Sequence, residues 1–67
     1  MTVEELIGIL EGMNPNAEVR VAMQPSWPFE YSVQDYVIES EDGETVYLAE
    51  HRQEGYLNGY VQNELGW

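Results

Sequence analysis

His51 is the only histidine in the chain, and it stands between Glu50 and Arg52. A histidine acts as a general base when a nucleophile or a second base is held against it. Ser26, Ser32 and Ser40 are the serines on offer, and none lies in a Gly-x-Ser-x-Gly elbow. His51 therefore reads as a surface residue at the end of a strand.

A second candidate is the run of Glu39, Glu41, Asp42 and Glu44, four carboxylates within six residues. Calcium takes oxygen ligands, but an EF-hand loop wants acids at alternate positions before its glycine and a bidentate glutamate six residues after it. The run does not match. It reads as a solvated hairpin tip, with weak, nonspecific divalent binding as the alternative.

The third candidate is Trp27-Pro28-Phe29, followed by Tyr31. Rings beside prolines can line a groove for a proline-rich or sugar ligand. They can also fold back to plug a small core, or anchor a protein interface, where tryptophan and tyrosine are enriched.

Other chemistries are missing. Neither Gly-x-Gly-x-x-Gly nor a Walker motif occurs, and there is no lysine to meet a phosphate. With no cysteine there is no disulfide framework, thiolate nucleophile or thiolate metal site. Thirteen acids on so small a body guarantee close carboxylate pairs by chance, so glycosidase-like pairing carries no signal. A chain of 67 residues also struggles to enclose a pocket of several hundred cubic ångströms. The expectation is a protein that is not an enzyme and uses no cofactor or metal.

The elements that would position these residues are legible in the spacing. Thr2 and Glu5 form a capping-box pair. Val3, Leu6, Ile7, Leu10 and Met13 then recur as one helical stripe, and Gly12 with Asn14-Pro15-Asn16 stops it. This predicts a helix over 3–12. Val19, Val21 and Met23 alternate with Arg20, Ala22 and Gln24, which predicts a half-buried strand with Arg20 on the face opposite the valines. Pro25 and Pro28 make 24–32 a restrained loop.

Two further strands are expected at about 33–40 and 45–50, joined by a hairpin with Asp42-Gly43 as its two-residue loop. That register pairs Ser40 with Thr45, Ile38 with Tyr47 and Val37 with Leu48. Val37, Val46 and Leu48 then share one face, and Tyr36, Ile38, Tyr47 and Ala49 the other. One helix covers one face only, so the second stays open unless the C-terminal segment or a partner covers it. Asn58 is placed to cap a short helix over about 59–65. The expected fold is α+β in a single small domain, 1–67. Its N-terminal helix packs on a three-stranded, mostly antiparallel sheet of undetermined strand order, followed by the short C-terminal helix.

Thirteen acids against two arginines give a formal charge of −11. No basic patch exists for nucleic acid or anionic lipid, and long-range attraction favours a basic protein surface. No apolar run approaches the ~20 residues that span a bilayer. The N-terminus lacks the basic and apolar regions of a signal peptide. A soluble, cytosolic protein is expected.

An acidic protein can also imitate a nucleic acid. A folded surface on the order of 4,300 Å² spreads the net charge to one per roughly 390 Å². A duplex carries one per roughly 110 Å². Mimicry therefore requires the acids to gather on one face, whereas their order along the chain suggests two or three patches.

Thr-Val-Glu-Glu-Leu-Ile-x-x-Leu at 2–10, Asn-Pro-Asn-Ala-Glu-Val-Arg-Val at 14–21 and Gln-Pro-Ser-Trp-Pro-Phe-Glu-Tyr at 24–31 stand with Gly-Tyr-Leu-x-Gly at 55–59 and the closing Glu-Leu-Gly-Trp. This pattern resembles short acidic accessory proteins of bacteriophages and bacterial mobile elements. The resemblance implies expression inside a bacterial cell and supplies no catalytic residues.

The reading is a non-catalytic acidic interaction module for a basic or mixed protein surface. One version inhibits a nucleic-acid-binding host protein. Contacts are expected from Trp27, Phe29 and Tyr31 and from the outer sheet face of Tyr36, Ile38 and Tyr47, ringed by Glu39, Glu41, Asp42 and Glu44. The competing reading is a homodimer formed through the exposed sheet face, with no foreign partner.

Overall fold

A computed structural model describes residues 1–67. The chain runs α1 (Val3–Leu10), β1 (Arg20–Ala22), β2 (Phe29–Glu39), β3 (Val46–Tyr56) and α2 (Gly59–Leu65). The three strands form one antiparallel sheet in the order β1-β2-β3, which resolves the strand order as a simple meander.

The capping box starts α1 as the spacing predicts. The Glu5 amide donates to Thr2 Oγ1 at 3.1 Å, and the Thr2 amide donates to the Glu5 carboxylate at 3.4 Å. The helix ends at Leu10, two residues before the expected end. Gly12 and Met13 instead donate in single turns to the carbonyls of Ile9 and Leu10. The Asn14-Pro15-Asn16 turn follows, with the Asn16 amide on Asn14 Oδ1 at 3.0 Å.

The hairpin register is the expected one: Val37 faces Leu48, Ile38 faces Tyr47, and the Ser40 amide donates to the Thr45 carbonyl at 2.8 Å. The turn itself differs. The Gly43 amide closes a tight turn onto the Ser40 carbonyl at 3.0 Å, so Glu41 and Asp42 are its central residues. Gly43 follows with φ 75°, and no non-glycine residue has positive φ, so an Asp42-Gly43 mirror-image turn is ruled out. The reason is local. Asp42 Oδ1 accepts from the Glu44 amide at 2.9 Å and from the Ser40 hydroxyl at 2.8 Å, which holds the tip one residue back.

The strands also run beyond their expected ends. Phe29–Ser32 belongs to β2, and β3 continues to Tyr56, so the expected loop over 24–32 shrinks to the residues between β1 and Phe29. The pairing shifts register between Glu30 and Tyr31, Tyr31 and Val33, and Val33 and Val37. These irregularities break period-two alternation just where the sequence shows none. β1 is shorter than expected, at three residues.

Asn58 caps α2 by accepting from the Val61 amide at 2.9 Å, and Gly66 ends the helix at φ 76°. The Leu57 amide donates to the Pro28 carbonyl at 2.8 Å, and Gln62 Nε2 donates to the Leu57 carbonyl at 3.0 Å. These bonds tie the end of β3, the Trp27 loop and α2 around Leu57. Leu57, at 8% exposure, is the one buried residue of the chain.

The accessible surface is 5720 Å². A compact protein of this mass exposes about 4,300 Å², so roughly 1,400 Å² remain open beyond that. α1 lies over the Val37, Val46 and Leu48 face, but only Leu6 of its apolar stripe is even half-buried. No helix is long and apolar enough to cross a membrane.

Candidate functional site

Regular pairing over Val37–Glu39 and Val46–Leu48 places Ile38 opposite Tyr47 on the sheet face away from α1, and Tyr36 precedes them in β2 where the register shifts. Tyr36, Ile38 and Tyr47 are 58%, 52% and 57% exposed, so α2 does not cover this face. Beside them lies the tip. Glu41, Asp42 and Glu44 sit in the turn, and Glu39 ends β2 opposite Val46. The amide of Glu44 and then the hydroxyl of Ser40 hold the Asp42 carboxyl below the usual carboxylate range.

The first turn of α1 adds to this end. Met1, Thr2 and Val3 share a cleft with Glu39, Glu44 and Thr45, which brings the helix start and its Glu4 and Glu5 to the hairpin tip. Six carboxylates thus occupy one end of the molecule. Elsewhere the charge is diluted. Net charge over the whole surface averages one per about 520 Å², from −11 over 5720 Å², against roughly 110 Å² for a duplex.

Trp27, Phe29 and Tyr31 do not form one exposed loop. Trp27 stands in the loop at 63% exposure, so it is not a core plug. Phe29 and Tyr31 are half-buried residues of β2, and Phe29 stacks on Tyr56. Phe29 and Ile38 are nine residues apart on one strand, roughly 30 Å by strand rise. The outer-face residues and the Trp27 loop therefore lie toward opposite ends of β2 rather than in one continuous patch.

His51 is exposed and lines an open, polar cleft of about 240 Å³ with Arg20, Asp35, Arg52 and Glu54. No serine hydroxyl bonds to it. Ser32 Oγ accepts from the Arg52 amide at 3.3 Å, and Ser40 Oγ donates to Asp42. Both cations of the chain meet acids here. Arg20 lies 2.7 Å from Glu18 and 2.7 Å from Glu30, on the strand face predicted for it, and Arg52 lies 3.0 Å from Glu54. These bonds raise the Arg20 pKa further, Glu30 first and Glu18 second. Arg52 and then Ser32 hold Glu54 below the usual range. No three histidine or carboxylate side chains converge as metal ligands do.

The feature that sequence reasoning missed is the groove under α1. Val3, Leu6, Ile7 and Leu10 face Val37, Val46 and Leu48 across about 280 Å³ of open space. The matching stripes were legible, but they pointed to a closed core. The chain matches no known family model, no curated protein and no solved structure.

Proposed function

We propose that this chain is a non-catalytic protein-interaction module that docks on a basic or mixed protein surface in the cytoplasm of a bacterial cell, as an accessory protein of a phage or mobile element. The observation that carries the reading is the open patch of Tyr36, Ile38 and Tyr47 beside the acid-bearing hairpin tip. Aromatic and branched side chains supply contact area, and a rim of like charge steers a partner of opposite sign. The partner class favoured by this chemistry is a protein whose own ligand is anionic, with inhibition of a nucleic-acid-binding protein as the specific form.

The test is capture from bacterial lysate on immobilised protein, at low and high salt, with Ile38→Asp/Tyr47→Asp as the comparison bait. Expected is a basic protein held at low salt, released at high salt and absent from the substituted bait. Retention that ignores both salt and the substitutions would remove the acidic-patch mechanism.

A further inference from the structure

We infer that the outer edge of β3 pairs with the same edge of a second copy, antiparallel, about a two-fold axis at His51. The strand order leaves this edge of an 11-residue strand without a neighbour, and an unpaired edge is a template for another strand. Its backbone orientation follows from three hydrogen bonds. Arg52 donates its amide to Ser32 Oγ at 3.3 Å, and its carbonyl accepts from the same hydroxyl at 3.4 Å. The Glu50 carbonyl accepts from Gln34 Nε2 at 3.4 Å. All three groups point toward β2. In a trans peptide a carbonyl and the amide after it point opposite ways, so the His51 amide, the His51 carbonyl and the Gln53 amide point outward.

Charge selects both the occupant and the register. Antiparallel pairing sets outward residues opposite outward residues, so the two-fold axis passes through a residue. With the axis at His51, the midpoint of β3, the two His51 residues exchange both backbone bonds and Gln53 donates to the second copy's Ala49. Glu50 then faces the second copy's Arg52, and Arg52 its Glu50, in the non-hydrogen-bonded pairs where side chains come closest. Both groups are free to do so. Glu50 meets no cation within the chain, and Arg52, 73% exposed, spends only Nε on Glu54. An axis at Glu50 or Arg52 would instead oppose Glu50 to Glu50 or to Glu54. An axis at Gln53 offers Arg52 only the already paired Glu54 and runs the ladder through Gly55, at φ 129°. An axis at Ala49 joins no opposite charges.

The paired segment Ala49–Gln53 holds one acid and one arginine, so it is neutral on a chain of −11. The stretch of β2 beyond the reach of β1, Val33–Glu39, holds Asp35 and Glu39 and no cation. Antiparallel pairing also sends the two acidic hairpin tips to opposite ends, roughly 35 Å apart along the strands and well beyond a Debye length of about 10 Å. The contact uses a sheet edge and not the Tyr36, Ile38 and Tyr47 face, so it stands or falls independently of a basic partner there.

The experiment is sedimentation equilibrium of the full chain from micromolar to submillimolar concentration, with two charge variants. The parent is expected to dimerise. Glu50→Arg and Arg52→Glu each set like charges opposite one another and are expected to raise the dissociation constant about tenfold. Mixed together, the two variants restore opposite charges at both positions, and the constant is expected to return to within about threefold of the parent's. Amide exchange on the unsubstituted chain reads the same contact without any variant. The His51 and Gln53 amides are expected to exchange severalfold more slowly in concentrated than in dilute protein. A monomeric parent, variants that leave the constant unchanged, a mixture that fails to recover, or His51 exchange independent of concentration would each overturn the inference.

Discussion

Phe29 and Tyr56 stack across the β2–β3 ladder with ring centroids 4.5 Å apart and planes 30° from parallel. They close the foot of the hairpin, one residue from Leu57 and its bond to Pro28. Stacked pairs add to the area they bury, and few other contacts join this end of the sheet to α2. Phe29→Ala is expected to cost about 2 kcal/mol, less than for a sealed phenylalanine because this one is half-buried. For a chain of this size that lowers the melting temperature by roughly 10 °C. Tyr60→Ala, on an exposed ring, stays within about 0.5 kcal/mol of the parent. Thermal unfolding followed by circular dichroism compares the two.

Removing the capping box tests how loosely α1 is held. Thr2→Ala deletes the oxygen that accepts the Glu5 amide, a loss of about 1 kcal/mol for the helix. Because α1 shares an open groove with the sheet, the loss is expected as faster amide exchange within Leu6–Leu10, with little change in β2 or β3. Equal acceleration in the strands would mean that α1 and the sheet unfold as one unit.

Two glycines are expected to respond with opposite signs. Gly8 lies inside α1, where an added Cβ meets no atom within 4 Å, so Gly8→Ala stabilises the helix by about 0.5–1 kcal/mol. Gly43 also has open space, but its φ of 75° disfavours any side chain, so Gly43→Ala destabilises the hairpin by about 1 kcal/mol. Urea midpoints of the two variants check the signs.

Acid unfolding should be traceable to two carboxylates. Asp42 and Glu54 have folded-state pKa values below their unfolded ones. Their stabilisation is therefore complete above the ordinary carboxylate range and is lost as pH falls through the depressed values. Asp42→Asn and Glu54→Gln are expected to lower stability at pH 7 and to flatten its decline between about pH 4 and pH 2. Denaturant midpoints across that window provide the measurement. Declines identical to that of the parent would place the acid sensitivity elsewhere.

The parts of the fold legible in the sequence are those where one local rule acts alone. The Thr2–Glu5 box and the Val3, Leu6, Ile7, Leu10 stripe locate α1, Asn58 locates α2, and alternation over Val37–Glu39 and Val46–Leu48 fixes which of these residues share each face. Reading failed where rules compete. Around Phe29–Ser32 and His51–Tyr56 the register shifts scramble alternation, so the first stretch read as loop and the second showed no strand pattern. At the tip, the Asp42 carboxylate outweighed the Asp-Gly preference for a two-residue turn. The candidate site divides in the same way. The Ile38 and Tyr47 face was readable from parity, whereas the division of the rings between the two ends of β2 and the open groove depend on strand length and helix placement, which no short motif encodes.

That Leu57 alone is buried bears on how such a chain can evolve. Substitutions are costly mainly where neighbours press from every side, and nearly every position here has room to change. Descendants can drift rapidly in letters while keeping alternation, caps and turns, so common ancestry would be better preserved in hydropathy rhythm than in residue identity.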